Sequence, residues 1–384
     1  MGAFETASSI TALEREFETR IKNVRSVMSS ADEFSASALI VACHEGIGWE
    51  DVYYLSGFSG SSGALVITPG EASLFIDSRY VAMAEETCAC GLVHCAAERR
   101  RAPLRAAAEH VAAMNLERIA FGGVRLTYGT YRELRAVLGG AELTDFSNVL
   151  LNMRRRKSDA EISCIMDAAG IAEKAFQYAV KDVSAGASER EFAAMLEYAA
   201  RAGGGDFSYA APVMVASGVR TSMPHSVPTE KKFEWGDLVI ADFCVRKRGY
   251  VCDMTRMFSI GEPTRETLRL YSLLLWSVEE AADIIAPGRA AVEIDLAARG
   301  VIRSAGLGDC FTHGVGHGIG IAVHEMPPIN QFSGAILAEG DTITLEPGFY
   351  KPGWGGMRVE DDYLVTKTGA RRLTALSNEL YVVV

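Results

Sequence analysis

No run of about eighteen apolar residues occurs in the chain, so nothing in it predicts a membrane-spanning helix. The first residues lack the apolar stretch of a secretory signal and are rich in Glu and Arg through Glu14-Arg-Glu-Phe-Glu-Thr-Arg20, so a cytoplasmic protein is expected. Basic charge is also short. Against 49 Asp and Glu stand 38 Lys and Arg, a net charge of −11, which argues against nucleic acid or an anionic membrane as partner. The eight cysteines form no Cys-x-x-Cys pair. The cluster Cys88, Cys90 and Cys95 beside His94 lacks a fourth spaced ligand, so free thiols are expected there rather than zinc.

At 384 residues, 49% hydrophobic and with 37 glycines, the chain can bury large cores and should hold about two domains, which we place at 1–150 and 151–384. The first carries strand-like runs at 37–43 and 63–68, then Ala-rich amphipathic helices near 103–115 and 129–138, an α/β pattern. The basic run Met153-Arg-Arg-Arg-Lys-Ser158 reads as a solvated helix start or linker. Ser188-x-x-Glu191 is a capping box opening a helix to about Ala202, and a long helix is expected from Pro263 to Ile285.

The chemistry-bearing residues lie in the second part. Asp237-Leu-Val-Ile-Ala-Asp242 and Tyr250-Val-Cys-Asp253-Met-Thr-Arg256 flank a basic turn and predict a β-hairpin. A Lys247-Arg248 turn would oppose Asp242 and Asp253 directly, with Cβ atoms roughly 5 Å apart. Bare carboxylates that close repel; a shared cation, or a dyad with one raised pKa, resolves the conflict. Cys244 would share the face of Asp242 and Cys252 would point away from Asp253; both read as packing. Thr342-Ile-Thr-Leu-Glu346-Pro347 and Gly356-Met-Arg-Val-Glu360 repeat the pattern, with Pro347 placing Glu346 near a strand end.

Between the pairs runs Thr312-His313-Gly-Val-Gly-His317-Gly-Ile-Gly-Ile-Ala-Val-His324-Glu325. Glycine at 314, 316, 318 and 320 argues against a helix, so an extended or looped backbone is expected, closely approached by something such as a metal or substrate. Asp242, Asp253, His317, Glu346 and Glu360 can together hold two divalent cations.

These pieces, in order Pro224-His225, Ala241-Asp242-Phe243, Cys252-Asp253-Met-Thr-Arg256, His313 to Gly320, Val323-His324-Glu325, Leu345-Glu346-Pro-Gly348 and Arg358-Val-Glu360-Asp361, resemble the metallopeptidase family of proline-specific aminopeptidases and dipeptidases. Tyr54-Leu-Ser-Gly57-Phe58 and Asp77-Ser-Arg79-Tyr80 are similar to its creatinase-like N-terminal domain. The resemblance implies an α/β N-terminal domain of creatinase type followed by an α+β pita-bread catalytic domain.

It further implies that Asp242, Asp253, His317, Glu346 and Glu360 are the metal ligands, with Asp253 and Glu360 bridging two ions. Such a hard, oxygen-rich set suits Mn²⁺, Co²⁺ or Zn²⁺, with Mn²⁺ the first choice. By the same resemblance Glu346 shuttles the proton from an attacking water to the leaving nitrogen, His324 stabilises the tetrahedral intermediate, and His225 meets the substrate backbone. His313 and Arg358 are supporting groups, Arg358 holding a bridging carboxylate. Homodimers acting on short proline-containing peptides are expected. Pro328 stands where many relatives carry an arginine suited to a substrate carboxylate, which turns the expectation toward a Xaa-Pro aminopeptidase, with Xaa-Pro dipeptidase (prolidase) the alternative. An inactive pita-bread binding protein is a minor alternative, against which the intact ligand set argues.

Overall fold

The computed structural model describes residues 7–30, 34–88, 91–95, 103–207 and 212–384, so Cys90 falls outside the described residues. The chain divides into two compact units, Met1–Arg154 and Arg155–Val384.

The first unit contains β1 (Ala38–His44), β2 (Ser62–Ile67), β3 (Ala72–Ile76), β4 (Leu92–Cys95), β5 (Arg118–Phe121) and β6 (Glu142–Asp145), in sheet order β4-β3-β2-β1-β5-β6. Its helices are α1 (Ala7–Met28), α2 (Trp49–Ser56), α3 (Val81–Thr87), α4 (Pro103–Ala112), α5 (Tyr128–Leu138) and α6 (Ser147–Arg155), the last ending at the division. β1 pairs antiparallel with β2 and parallel with β5, and its Ala-Leu-Ile-Val run is buried throughout, as a strand covered on both faces must be. Leu104, Ala107, Val111, Leu134 and Leu138 close one face over Ala38, Ile40 and Val66. Cys88 and Cys95 are unbridged, as expected of free thiols, and the exposed His94 ring stacks on Phe75 at 5.1 Å.

The second unit opens with α7 (Asp159–Asp182) and α8 (Glu189–Ala202), each started by a capping box, Ser158 with Glu161 and Ser188 with Glu191. Then come β7 (Asp206–Phe207), β8 (Met214–Ser217), β9 (Leu238–Lys247), β10 (Tyr250–Ile260), α9 (Arg265–Asp283) and α10 (Ala291–Ser304). The remainder is β-rich: β11 (Gly316–Gly318), β12 (Glu325–Ile329), β13 (Thr342–Leu345), β14 (Gly348–Lys351), β15 (Gly355–Arg358), β16 (Asp361–Val365), β17 (Ala370–Arg372) and β18 (Tyr381–Val383). One sheet runs β18-β10-β9-β7 with β8 also on β9; another runs β12-β11-β13-β16-β17; β14 and β15 form a hairpin.

Each large sheet is backed by a helix pair. Ala168, Ala172, Ala175 and Ala179 of α7 share a core with Phe192 of α8 and with Val239, Ala241, Phe243 and Val245 of β9. Leu270, Leu274 and Val278 of α9 and Ile294, Ala298 and Ile302 of α10 share one with Ile343, Leu345 and Val365. A bridge between Thr255 and Glu360 links the two sheets at their polar seam.

Of the basic run at 154–157 only Arg156 is exposed; the other three cations are paired. Arg154 pairs with Asp51 at 2.8 Å, Arg155 with Asp341 at 2.6 Å, and Lys157 with Glu325 at 3.0 Å, the last pair almost fully enclosed. Each cation meets an acid far away in sequence, which a local charge count does not reveal.

Candidate metal centre

The β9–β10 hairpin turns on Arg248 and Gly249, both at positive φ (49° and 80°), the type I′ geometry that matches strand twist. The register therefore differs from the expectation: Asp242 pairs with Thr255, and Asp253 with Cys244. A slip of two residues keeps a side chain on its face, so the two aspartates are diagonal neighbours on one surface instead of opposed partners. β13 and β16 pair as Leu345 with Asp361, which brings Glu346 and Glu360 to corresponding ends.

The glycine-rich segment is extended, as its composition predicts. What the glycines admit is neighbouring main chain: a Cβ at Gly316 would overlap the Thr344 carbonyl, and one at Gly318 the Met326 carbonyl. Glu346 N–H donates to Val315 O at 2.7 Å, and Asp295, paired with Arg299 on α10, accepts from Val315 N–H at 3.0 Å. This run is thereby fixed between α10 and β13.

The five expected ligands converge. Asp253, His317 and Glu360 offer ligand atoms all within 4.8 Å of one another. His317 Nε2 lies 3.9 Å from Asp253 Oδ2 and 3.7 Å from Glu346 Oε1. Because Gly318 O can only accept, the 3.0 Å contact to His317 Nδ1 fixes the proton there and leaves the Nε2 lone pair facing the carboxylates. Burial, then His324, push the His317 pKa down to about 3, so the ring is neutral.

Burial and mutual repulsion raise the acids. Asp253 is pushed up to about 7 by burial and by Asp242; Glu346 goes to about 8, chiefly by burial; Glu360 goes well above the usual carboxylate range by burial and the other acids. Glu360 Oε2 accepts from Thr255 Oγ1 at 2.8 Å, whereas its buried Oε1 has no hydrogen-bond partner among the described residues. Glu346 is the most open of the four, with a fifth of its side chain exposed (20%).

Arg358 departs from expectation. Its guanidinium pairs with Asp242, not with the bridging candidates Asp253 or Glu360, and it is fully enclosed, so it is no surface ion pair. Arg358 Nε also donates to Thr255 Oγ1 at 3.2 Å, the hydroxyl that donates to Glu360 Oε2, so Arg358 reaches Glu360 only through Thr255. Nη1 of Arg358 also donates to Tyr350 Oη at 2.6 Å, and Tyr350 Oη lies 3.0 Å from His313 Nε2. His313 Nδ1 contacts Gly314 O at 2.7 Å, which places its proton there, so Tyr350 donates to Nε2. His313, pushed down to about 4 chiefly by burial, is neutral.

His324 sits beside the centre, its ring 4.4 Å from that of His317, and is exposed. His225 is exposed on the loop after β8, near enough to His313 for its charge to depress that histidine. Several participants escape sequence reasoning. Cys244 is more than packing: its thiol donates to Asp253 Oδ1 at 3.0 Å. Cys252 does lie in the opposite core. Thr255, two residues from Asp253, had a legible face; Tyr350 carried no signal. Arg256, fully buried on Asp361 and on the Glu360 carbonyl, anchors the far side of Glu360.

The donor set fits divalent cations. Three of four inward carboxylates lack a Lys or Arg partner among the described residues, one buried oxygen is orphaned, and a neutral imidazole presents its lone pair.

Residues 163–367 match metallopeptidase family M24, and residues 20–156 match the creatinase/prolidase N-terminal domain. The chain is 33% identical to a Xaa-Pro dipeptidase of Pyrococcus horikoshii over 94% of its own length and 98% of that protein's. Among solved structures it is similar to an X-Pro aminopeptidase from Thermotoga maritima (TM-score 0.85, 31% identity, 95% of this chain and 100% of that one) and a Xaa-Pro dipeptidase from Bacillus anthracis (TM-score 0.86, 31% identity, 96% and 100%). The creatinase-type first domain and pita-bread second domain follow, and the chain belongs to metallopeptidase family M24, a hydrolase that works with divalent metal ions.

Proposed function

We propose that this enzyme hydrolyses Xaa-Pro dipeptides, as a prolidase. The observation that carries a hydrolytic reading is the set of four inward carboxylates around a neutral His317 whose Nε2 is free. The relatives named Xaa-Pro dipeptidase support the dipeptide preference over the aminopeptidase expected from sequence. Asp242, Asp253, His317, Glu346 and Glu360 would hold two divalent ions, Mn²⁺ by preference, whose chemistry is to acidify a water and polarise the scissile carbonyl.

The chain's own residues supply the rest. Glu346, the most open of the acids, takes the proton of the attacking water and delivers it to the proline nitrogen. That nitrogen needs a proton to leave, as any amide nitrogen does, because the unprotonated amine anion is too basic a leaving group. His324 donates to the developing oxyanion, and His225 holds the substrate backbone. Arg358 orients Asp242, and Tyr350 passes the same restraint to His313. The protein is taken as a homodimer on the family resemblance, which light scattering tests.

The aminopeptidase reading stays second, favoured by Pro328 in place of a carboxylate-binding arginine. Cleavage of Ala-Pro, Ala-Pro-Ala and Ala-Ala-Ala with Mn²⁺, Co²⁺ or Zn²⁺ separates the two, with Glu346→Gln as control. Metal-dependent turnover of Ala-Pro alone supports the dipeptidase; turnover of Ala-Pro-Ala between Ala and Pro supports the aminopeptidase; no turnover of any peptide refutes both.

A further inference from the structure

Glu189 is a carboxylate with no exposed surface, at the first turn of α8, far from the acids of the metal centre in sequence. Six contacts converge on it. Its Oε1 accepts from Ser217 N–H at 2.8 Å, Ser217 Oγ at 2.9 Å and Arg220 Nε at 3.1 Å. Its Oε2 accepts from Thr229 N–H at 3.0 Å, Thr229 Oγ1 at 2.7 Å and Arg220 Nε at 3.2 Å. Ser217 ends β8 and Thr229 lies beyond the loop that follows, so each oxygen grips one limb of that loop at its base.

Arg220 then crosses the loop interior: Nη2 donates to Ser226 Oγ at 2.8 Å and to Val227 O at 3.0 Å, the two residues that follow His225. On the other side of His225, Pro224 O accepts from Arg358 at 3.3 Å, the same guanidinium that pairs with Asp242. Thr221 Oγ1 accepts from Gly356 N–H at 2.8 Å. The loop is fastened at its base by Glu189, through its middle by Arg220, and near its tip to the strand that carries Arg358.

We infer that Glu189 and Arg220 are positioning residues that hold His225 at the metal centre, making the 218–228 loop a rigid platform for the substrate and not a mobile lid. The inference rests on the proposed role of His225. A carboxylate suits the task because its two oxygens can satisfy both limbs at once; an amide presents donors where N–H groups already point, so Glu189→Gln repels one limb.

The test is a mutant cycle on the metal-loaded enzyme, joined to amide hydrogen exchange. Arg220→Met removes the strut while leaving Glu189 its bonds to both limbs, so it keeps the test valid if Glu189→Gln folds poorly. Arg220→Met should lower kcat/KM on Ala-Pro about tenfold, because small misplacements of a substrate-contacting group are expensive, and Arg220→Lys should recover part of it. In a His225→Ala background the same substitution should change kcat/KM less than about twofold, since a residue acting through His225 has nothing left to position. Exchange should quicken at 218–228, with bound metal per chain unchanged. Equal losses in both backgrounds, or unchanged exchange across the loop, would overturn the inference. If the wild-type enzyme turns over no Xaa-Pro peptide, the function proposed above fails by itself, and the exchange measurement still decides whether the clamp exists.

Discussion

Removing the metal should give this protein a stability that falls as pH rises above neutrality. In the metal-free fold Asp253 keeps its proton to about pH 7, Glu346 to about pH 8, and Glu360 beyond the ordinary range, because burial and neighbouring acids disfavour their charge. In the unfolded chain these groups ionise near 3.8 and 4.5. A folded-state pKa above the unfolded one contributes stability that is complete below the unfolded pKa and is lost as pH climbs through the folded value. His313 and His317 act oppositely: their folded values lie near 4 and 3 against 6.5 unfolded, so stability gained from them rises with pH and is complete above about 6.5. Between pH 6.5 and 8 only the carboxylates remain. One to two retained protons, at about 1.4 kcal/mol per proton per pH unit, give a loss of roughly 2–4 kcal/mol across that window. Urea unfolding of chelator-treated protein, followed by tryptophan fluorescence, measures it, since Trp235, Trp276 and Trp354 lie in the catalytic unit and only Trp49 outside it. With Mn²⁺ restored, the folded carboxylates are already ionised and the slope should vanish. A metal-free stability that is flat or rises from pH 6.5 to 8 would refute the assignment of these acids as an uncompensated cluster.

Other perturbations follow from the same contacts. Glu346→Gln should lower kcat by about 10²–10⁴-fold if it moves the proton, with the fold preserved by circular dichroism. Cys244→Ala removes the thiol that donates to Asp253 and should weaken Mn²⁺ binding by about tenfold in equilibrium dialysis, whereas Cys244→Ser should stay near wild type. Lys157→Met leaves Glu325 buried without its cation and should cost about 3–5 kcal/mol in urea unfolding, more than loss of a surface pair such as Arg190–Glu230.

The sequence made the two acid pairs visible through strand periodicity and turn residues, and it made α8 visible through a capping box that the fold reproduces. It did not give the hairpin register, although Gly249 is the residue that a type I′ turn wants at its second position. That error left the site intact only because the slip was even. A one-residue error would have turned Asp242 into the core of Phe243 and Val245. The supporting contacts were hidden for a different reason: Arg358 meets Asp242 across 116 residues, and Lys157 meets Glu325 across 168. No local pattern reports a pairing at such separations.

Charge explains why the supporting shell is arranged as it is. Four carboxylates surround one neutral imidazole, and the only guanidinium in direct contact with them among the described residues is spent on Asp242. Had Arg358 reached Asp253 or Glu360, as the sequence suggested, it would have competed with a cation for the acids best placed to be shared. On Asp242 it instead fixes one acid directly and acts on Asp253, Glu346 and Glu360 only at longer range, reaching Glu360 through the Thr255 hydroxyl. The Thr255 hydroxyl and the Cys244 thiol reinforce this, since each orients a carboxylate by hydrogen bonding while adding no charge. Burial and mutual repulsion outweigh the nearby guanidinium at Asp253, Glu346 and Glu360, so the centre keeps an attraction for divalent cations, and Arg256 steadies Glu360 from behind, through its main-chain carbonyl and not its carboxylate.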